Sequence, residues 1–144
     1  MHQLTFLHLN ADWNAEPNAP MLRVGVDGST LTLSFYLNPH AYKATEGETG
    51  QLVFKGCSRW RWDNTNDEAW YSGRGRLSKE APKWGEFYEI LGDDPLTDDL
   101  EWEVTSQVQP GGRHFLFYFR DDAIECIAEE WELIRELPDI ARGA

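Results

Sequence analysis

The sequence predicts a mainly β protein: an antiparallel sandwich or barrel of about seven or eight strands, with at most a short C-terminal helix. Two observations lead to this fold class. Apolar and polar residues alternate over several short runs, which is the period of a half-buried strand. Turn-forming dipeptides separate the runs. We expect a single domain over residues 1–144, because one hydrophobic core usually serves roughly 100–200 residues.

The first predicted hairpin joins the alternating runs 22–24 and 31–35. Between them, Asp27-Gly28 is a dipeptide favoured in two-residue hairpin turns. A turn centred on it sets Val24 opposite Leu31, so the apolar residues of both strands share one face. We therefore expect this face to pack in the core.

A longer run follows Gly50. Its apolar positions all have the same parity: Leu52, Phe54, Trp60 and Trp62. Arg59 and Arg61 have the opposite parity. Successive side chains of a strand point to opposite faces, so the tryptophans are expected in the core and the arginines in water. Further strands are predicted over residues 100–108 and, with a weaker pattern, over 84–91.

The C-terminal run HFLFYFRDDAIECIA predicts a second hairpin. A two-residue turn at Asp121-Asp122 pairs Phe117 with Cys126 on one face. The same register sets His114 opposite Glu129 on the other face. The turn lacks the glycine that best tolerates positive φ.

A helix from Ala123 to Leu137 is an alternative reading of this region. Four apolar residues would then lie on one helical face: Ile124, Ile127, Trp131 and Ile134. The pairing pattern favours a strand over Ala123–Ala128, whereas residues 130–137 fit either structure.

Charge and composition exclude several classes of protein. The formal charge is −12, which argues against nucleic-acid binding because that depends on cationic side chains at phosphates. No apolar run approaches the roughly 18 residues of a membrane span, so we expect a soluble, cytoplasmic protein. Cys57 and Cys126 are too few for a disulfide scaffold and are expected to be reduced.

The C-terminal string resembles the ending of a family of small, uncharacterised bacterial proteins. The matching residues are Phe119, Asp121, Glu125, Cys126 and Ala128. Residues 66–71 are similar to an internal Asn-Asp-Glu segment of that family, and residues 87–91 to its Tyr-x-Glu-Val element. Arg120 stands where the family usually has histidine, and Ile124 replaces an aromatic residue. The resemblance implies a shared fold, and it implies no activity.

The first candidate site follows Trp62 in the sequence. Its acidic and amide residues fit either an Asx-rich turn or a carboxylate site, and their spacing does not match a calcium loop. Tryptophan and tyrosine beside such residues could also hold a ligand or a partner. The candidate residues for ligand or partner binding are Asn66, Asp67, Glu68, Trp70, Tyr71, Arg59 and Arg61.

The second candidate site is the face that carries His114. A histidine beside a carboxylate can act as a general acid or base, and Glu125 and Glu129 are the nearby acids in the predicted hairpin. No nucleophile accompanies them, because Cys126 lies on the opposite face. The alternative is a solvent-side cross-strand pair without a catalytic role.

No metal or cofactor is predicted. The four histidines have no spacing that would bring them together: His2, His8, His40 and His114. Common nucleophile and zinc motifs are absent.

We expect a non-catalytic binding protein whose partner is a protein, and a basic one in view of the acidic charge. That hypothesis predicts one acidic face from residues 86–103 and 125–136. The alternatives are a small-ligand-binding protein and an enzyme that uses His114 with its acidic neighbours. An exposed sheet edge would also permit a homodimer. The sequence identifies neither the ligand nor the oligomeric state.

Overall fold

The structure is a computed structural model that describes residues 4–40, 42–63, 77, 85–92, 101–105 and 112–138. These residues form ten strands and no helix. The strands are β1 (Thr5–His8), β2 (Arg23–Asp27), β3 (Thr30–Tyr36), β4 (Thr49–Lys55), β5 (Arg59–Asp63), β6 (Phe87–Leu91), β7 (Glu103–Val104), β8 (Arg113–Tyr118), β9 (Ala123–Ala128) and β10 (Glu130–Glu136). Within this described part, no helix is long and apolar enough to cross a lipid bilayer.

The strands form two open antiparallel sheets. The six-stranded sheet has the order β1-β6-β8-β9-β5-β7, and the four-stranded sheet has the order β10-β4-β3-β2. The predicted mainly β class is confirmed, and the architecture is a sandwich rather than a closed barrel. It has more strands than the sequence suggested, because the long run after Gly50 is two strands, residues 130–136 form another, and β1 was not predicted.

Aromatic rings fill the space between the sheets. Phe117 lies at the centre of this core, with its ring centroid 5.4 Å from that of Phe87 and 5.6 Å from that of Phe35. The ring centroids of Trp13 and Phe119 lie 5.9 Å and 4.2 Å from it. The parity argument placed Phe35 and Phe117 correctly in this core, because inward-facing residues of both sheets meet here.

The N-terminal hairpin is confirmed, but its turn lies one residue later than predicted. The loop residues are Gly28 and Ser29, and Val24 faces Leu33 rather than Leu31. Only Gly28 has a positive φ, 59°, and glycine at the first loop position is typical of a type II′ turn. Because the register moves by two residues, every side chain keeps its predicted face.

The C-terminal hairpin has a similar displacement. Its loop is Arg120-Asp121 rather than Asp121-Asp122, and Phe117 faces Ile124 rather than Cys126. Neither loop residue has a positive φ, so this turn does not need the glycine that the sequence lacks. The residues that share each face are again as predicted.

The C-terminal region is extended throughout its described length. β9 pairs with β8 and β5, and β10 pairs with β4. The helical alternative over Ala123–Leu137 is therefore wrong. Backbone pairing on β9 and β10 decides the structure, and the apolar spacing fitted a helix only by coincidence of period.

Two strand pairs bend together from one sheet into the other. β4 and β10 pair in the four-stranded sheet, and β5 and β9 pair in the six-stranded sheet. At the bend the Glu129 N–H donates to the Lys55 carbonyl at 3.0 Å, and the Ser58 N–H donates to the Ile127 carbonyl at 2.9 Å. Hydrogen bonding thus continues around the corner, which is how strands switch sheets in such sandwiches.

The expected orientation of the β5 side chains is only partly right. Trp60 packs against the core, but Trp62 is 43% exposed. Arg61 does not face water, since its side chain is 17% exposed. The prediction fails for Arg61 because the outer face of the six-stranded sheet is itself covered by apolar side chains. The prediction of a buried side chain fails for Trp62 because this residue lies near the end of β5, at the rim of the six-stranded sheet.

Gly56 at the corner is expected to be intolerant of a side chain. Its φ is +64°, and an added Cβ would lie 2.7 Å from the Glu129 side chain. Gly56→Ala should lower the free energy of unfolding by about 1–3 kcal/mol, measured by urea denaturation. Gly28→Ala is the matched control, because Gly28 has φ +59° with nothing within 4 Å. Combining Gly56→Ala with Glu129→Ala should recover the part of the stability loss that comes from contact between the added Cβ and the Glu129 side chain. An unchanged stability of Gly56→Ala would contradict the left-handed backbone at the corner.

Candidate functional site

The outer face of the six-stranded sheet is buried and carries a second apolar cluster. Its buried members are Tyr88, Ile90, Leu116, Tyr118 and Ala123, and Leu4, Phe6 and Leu77 pack against them. The strands β8 and β9 are therefore buried on both faces along most of their length. Polar side chains on this face have lost contact with water and must be paired within the protein.

Glu125 is the charged residue at the centre of this face. Its side chain is 1% exposed, and the Nη1 of Arg61 donates to its Oε2 at 2.7 Å. The Nε2 of His114 lies 2.8 Å from its Oε1. Arg61 also lies near Asp63, with 3.7 Å between Nη2 and Oδ2. Both carboxylate oxygens of Glu125 are thus engaged, by two side chains from neighbouring strands.

The structure brings His114 to Glu125 and not to Glu129. The observed register sets His114 opposite Ile127, so Glu125 is the carboxylate within reach on the same face. Glu129 lies at the corner between β9 and β10, beside Gly56. The predicted pair of His114 and Glu129 is therefore wrong, because the turn lies one residue earlier than expected.

The two cysteines are free and buried. Burial raises the pKa of the Cys126 thiol well above its ordinary value. A hydrogen bond with Cys126 lowers the pKa of the Cys57 thiol. Both residues belong to the core between the sheets, so neither supplies a nucleophile for His114 on the outer face. The geometry favours a structural role for Glu125 and its partners Arg61 and His114.

An open groove lies at the edge of the six-stranded sheet, beside β5 and β7. Among the described residues, β7 pairs with β5 only at Arg59 and Trp60, and Glu101 and Trp102 belong to no strand. The groove has a volume of about 600 Å³. We name it the Trp groove. The described residues that line it are Trp60, Arg61, Trp62, Glu101, Trp102 and Glu103.

Hydrogen bonds and ring contacts fix the tryptophans of the Trp groove. The Nε1 of Trp62 donates to Asp122 Oδ1 at 2.6 Å. The Trp102 ring meets His114 edge to face at 6.2 Å, and the guanidinium carbon of Arg59 lies 4.8 Å from the Trp102 ring centroid. The chain therefore already holds one guanidinium group on an indole at this place, a favourable cation–π arrangement.

The described residues that line the Trp groove carry more negative than positive charge. Arg61 is the cation among them, and Glu125 and Asp63 compensate it. Glu101 and Glu103 are exposed, and neither forms an ion pair with another described residue. The Nε of Arg61 is buried and has no hydrogen-bond acceptor among the described residues. The groove thus combines indole surface with two exposed carboxylates that form no ion pair with another described residue.

Several predicted site residues fall outside the described part of the chain: Asn66, Asp67, Glu68, Trp70 and Tyr71. Arg59 and Arg61 are described, and both lie beside the Trp groove. Sequence reasoning missed Glu101, Trp102 and Glu103 as site residues. Their alternation marked a strand, but no sequence signal showed that this strand would pair with β5.

The predicted single acidic face is not present among the described residues. Several of those acids lie beside basic side chains: Glu86 beside the His8 imidazole, Glu89 beside Arg113, Glu125 beside Arg61, and Glu132 beside Lys55. The strands β6 and β9 belong to one sheet and β10 to the other, so these acids are dispersed. Across the same residues, no group of three or more histidine, cysteine or acidic side chains could hold a metal ion.

The functional interpretation depends on the geometry of the structure, because the comparisons with known proteins give no match. No protein-family model, curated protein or solved structure matches the chain. The resemblance of the C-terminal string to an uncharacterised bacterial family stays a prediction.

Proposed function

We propose that the protein is a non-catalytic binding protein that recognises a basic segment of a partner protein in the Trp groove. The observation that carries this proposal is the exposure of two carboxylates, Glu101 and Glu103, that form no ion pair within the described part of the chain. They lie beside indole surface, and the Arg61 guanidinium of the same groove is already neutralised. An arginine or lysine side chain suits this lining. Its charge meets the carboxylates, and its cationic group can lie over an indole.

Long-range charge supports the same partner chemistry. The net charge of −12 attracts a cationic segment and accelerates its encounter with the groove. The contact of Arg59 with Trp102 is an intramolecular example of the interaction that we assign to the partner.

The geometry gives less support to an enzyme based on His114. Its partner Glu125 is 1% exposed and is also held by Arg61, and the described residues place no nucleophile beside it. We further propose that the protein acts in the cytoplasm, since both cysteines are free thiols and a reducing compartment maintains that state.

Titration with a synthetic peptide of alternating arginine and glycine tests the proposed function. Binding would be measured by calorimetry and by tryptophan fluorescence, and the same peptide with citrulline in place of arginine is the control ligand. Citrulline keeps the size of the side chain and removes its charge. We expect the arginine peptide to bind at least tenfold more tightly.

Two matched variants separate the groove from bulk charge. Glu101→Gln with Glu103→Gln should weaken peptide binding about tenfold, which corresponds to roughly 1.4 kcal/mol. Asp12→Asn with Glu46→Gln changes the net charge equally at exposed positions outside the groove and should leave binding nearly unchanged. Equal weakening in both variants, or no preference for arginine over citrulline, would overturn the proposal.

A further inference from the structure

Strand β2 is an open edge of the four-stranded sheet. In the described part of the chain only β3 pairs with it. Four of its five residues are exposed, including Val26 at 46%. An edge strand with outward-facing backbone groups is a template for another strand.

The hairpin register shows which backbone groups of β2 point outward. Asp27 and Thr30 flank the two-residue loop, and such a flanking pair exchanges both of its backbone hydrogen bonds. The N–H and C=O groups then alternate in direction along β2. Those of Arg23, Gly25 and Asp27 point to β3, whereas those of Val24 and Val26 point away from it. On β3, Tyr36 has the parity of Thr30, and its N–H donates to the Pro20 carbonyl at 2.9 Å, as this alternation requires.

The sequence of β2, RVGVD, is complementary to itself in the antiparallel direction. With a two-fold axis at Gly25, Val24 lies opposite the partner's Val26, and both residues present outward backbone groups. Arg23 then lies opposite the partner's Asp27. The two glycines face each other in a pair without hydrogen bonds, the kind in which the backbones approach most closely. In this one register the backbone hydrogen bonds, the valine contacts and the Arg23–Asp27 charges of the two copies are all complementary.

We propose that the protein forms a two-fold symmetric dimer in which β2 pairs antiparallel with β2 of a second copy. The two four-stranded sheets then join into one continuous sheet. Each Val24–Val26 pair exchanges both backbone hydrogen bonds, and the half-exposed Val26 side chains become covered. An Arg23–Asp27 ion pair lies on each side of the axis, as a closed two-fold interface requires.

The opposite edge of the same sheet lacks this complementarity. β10 carries Glu130, Glu132 and Glu136, and self-pairing there would concentrate negative charge. Charged edges of this kind protect strands from association. The contrast identifies β2 as the edge that accepts a second copy. β2 contains none of the residues of the Trp groove, so this inference is independent of the proposed function.

Sedimentation equilibrium of the full chain over a range of concentrations tests the dimer. Arg23→Asp and Asp27→Arg each set like charges opposite each other, and each should weaken dimerisation at least tenfold. They change the net charge in opposite directions, so a bulk effect cannot explain a loss in both. The double variant Arg23→Asp with Asp27→Arg keeps the net charge and reverses the pair, so it should restore the affinity of the unmodified chain.

Val26→Pro is a second, independent test. It removes an outward N–H and leaves the bonds from β2 to β3 in place, so the variant should stay folded by circular dichroism and become monomeric. A chain that is monomeric at every concentration would overturn the proposal. So would a dimer that the charge reversals and Val26→Pro leave unchanged.

Discussion

Glu125→Gln is expected to lower the free energy of unfolding by about 3 kcal/mol, the lower end of the range for breaking a buried ion pair. The Glu125 carboxylate accepts from Arg61 at 2.7 Å and lies 2.8 Å from His114. Glutamine keeps the shape but removes the charge that offsets the Arg61 guanidinium. The loss stays at the lower end because Arg61 keeps Asp63 at 3.7 Å and 17% of its side-chain surface in contact with solvent.

A surface pair provides the control for this measurement by chemical denaturation. Glu132 and Lys55 lie 3.3 Å apart with about half of each side chain exposed, so Glu132→Gln should change stability by less than about 1 kcal/mol. Replacing both Glu125 and Arg61, by leucine and methionine, should recover most of the loss, because neither member of this buried pair is then left without its counter-charge, and Asp63 is one-third exposed to water. A Glu125→Gln variant as stable as the Glu132→Gln control would contradict the buried position of this carboxylate.

Phe117→Ala is expected to have an effect of similar or larger size, about 3–5 kcal/mol. The Phe117 ring lies among the rings of Phe35, Phe87 and Phe119 from both sheets and the C-terminal turn, and its side chain is 1% exposed. Removal leaves a cavity that rigid neighbouring rings cannot close.

Two further variants keep this prediction measurable. Phe117→Leu retains much of the volume and should cost about half as much or less, so it reports on the site even if the alanine variant does not fold. Leu7→Ala, at a position that is 42% exposed on an edge strand, should cost less than about 1 kcal/mol. A similar loss at both positions would be inconsistent with Phe117 at the centre of the sandwich.

Which face each side chain occupies was predictable, and the exact register was not. Both hairpin turns lie one residue from their predicted positions, and each register moves by two. Because the side-chain period of a strand is also two, Phe117 and Val24 keep their faces. Turn geometry depends on φ at single residues such as Gly28, which dipeptide preferences indicate only approximately.

The separation of one long run into β4 and β5 was missed, although Gly56 carried a signal. A glycine inside an alternating run often marks a bulge or bend. Its role depends on Glu129, which is distant in sequence and pairs beside it only in the folded chain. The buried state of Arg61 was missed for a related reason, since no local pattern reveals that a second layer covers the outer face.

The candidate site was located only in part. Arg59 and Arg61 were predicted as binding residues, and that role stays a prediction. The structure places them beside Trp102 and Glu103, whose position depends on the pairing of β7 with β5. Long-range strand pairing of this kind depends on competition among all edges of the sheet, and a single sequence does not encode it locally.

The corner at Gly56 has a consequence for how the chain folds. The ladder that bends there joins residues far apart in sequence: Thr49 bonds to Glu136 across 87 positions, and Arg61 to Glu125 across 64. Neither sheet can be completed until the chain between these paired residues closes into a loop. The chain loses conformational entropy on closure before the stabilising contacts between the strands form. The two hairpins can form early from local contacts. We therefore expect the arrival of the C-terminal hairpin at β4 and β5 to limit the folding rate, and both sheets to form together in that step.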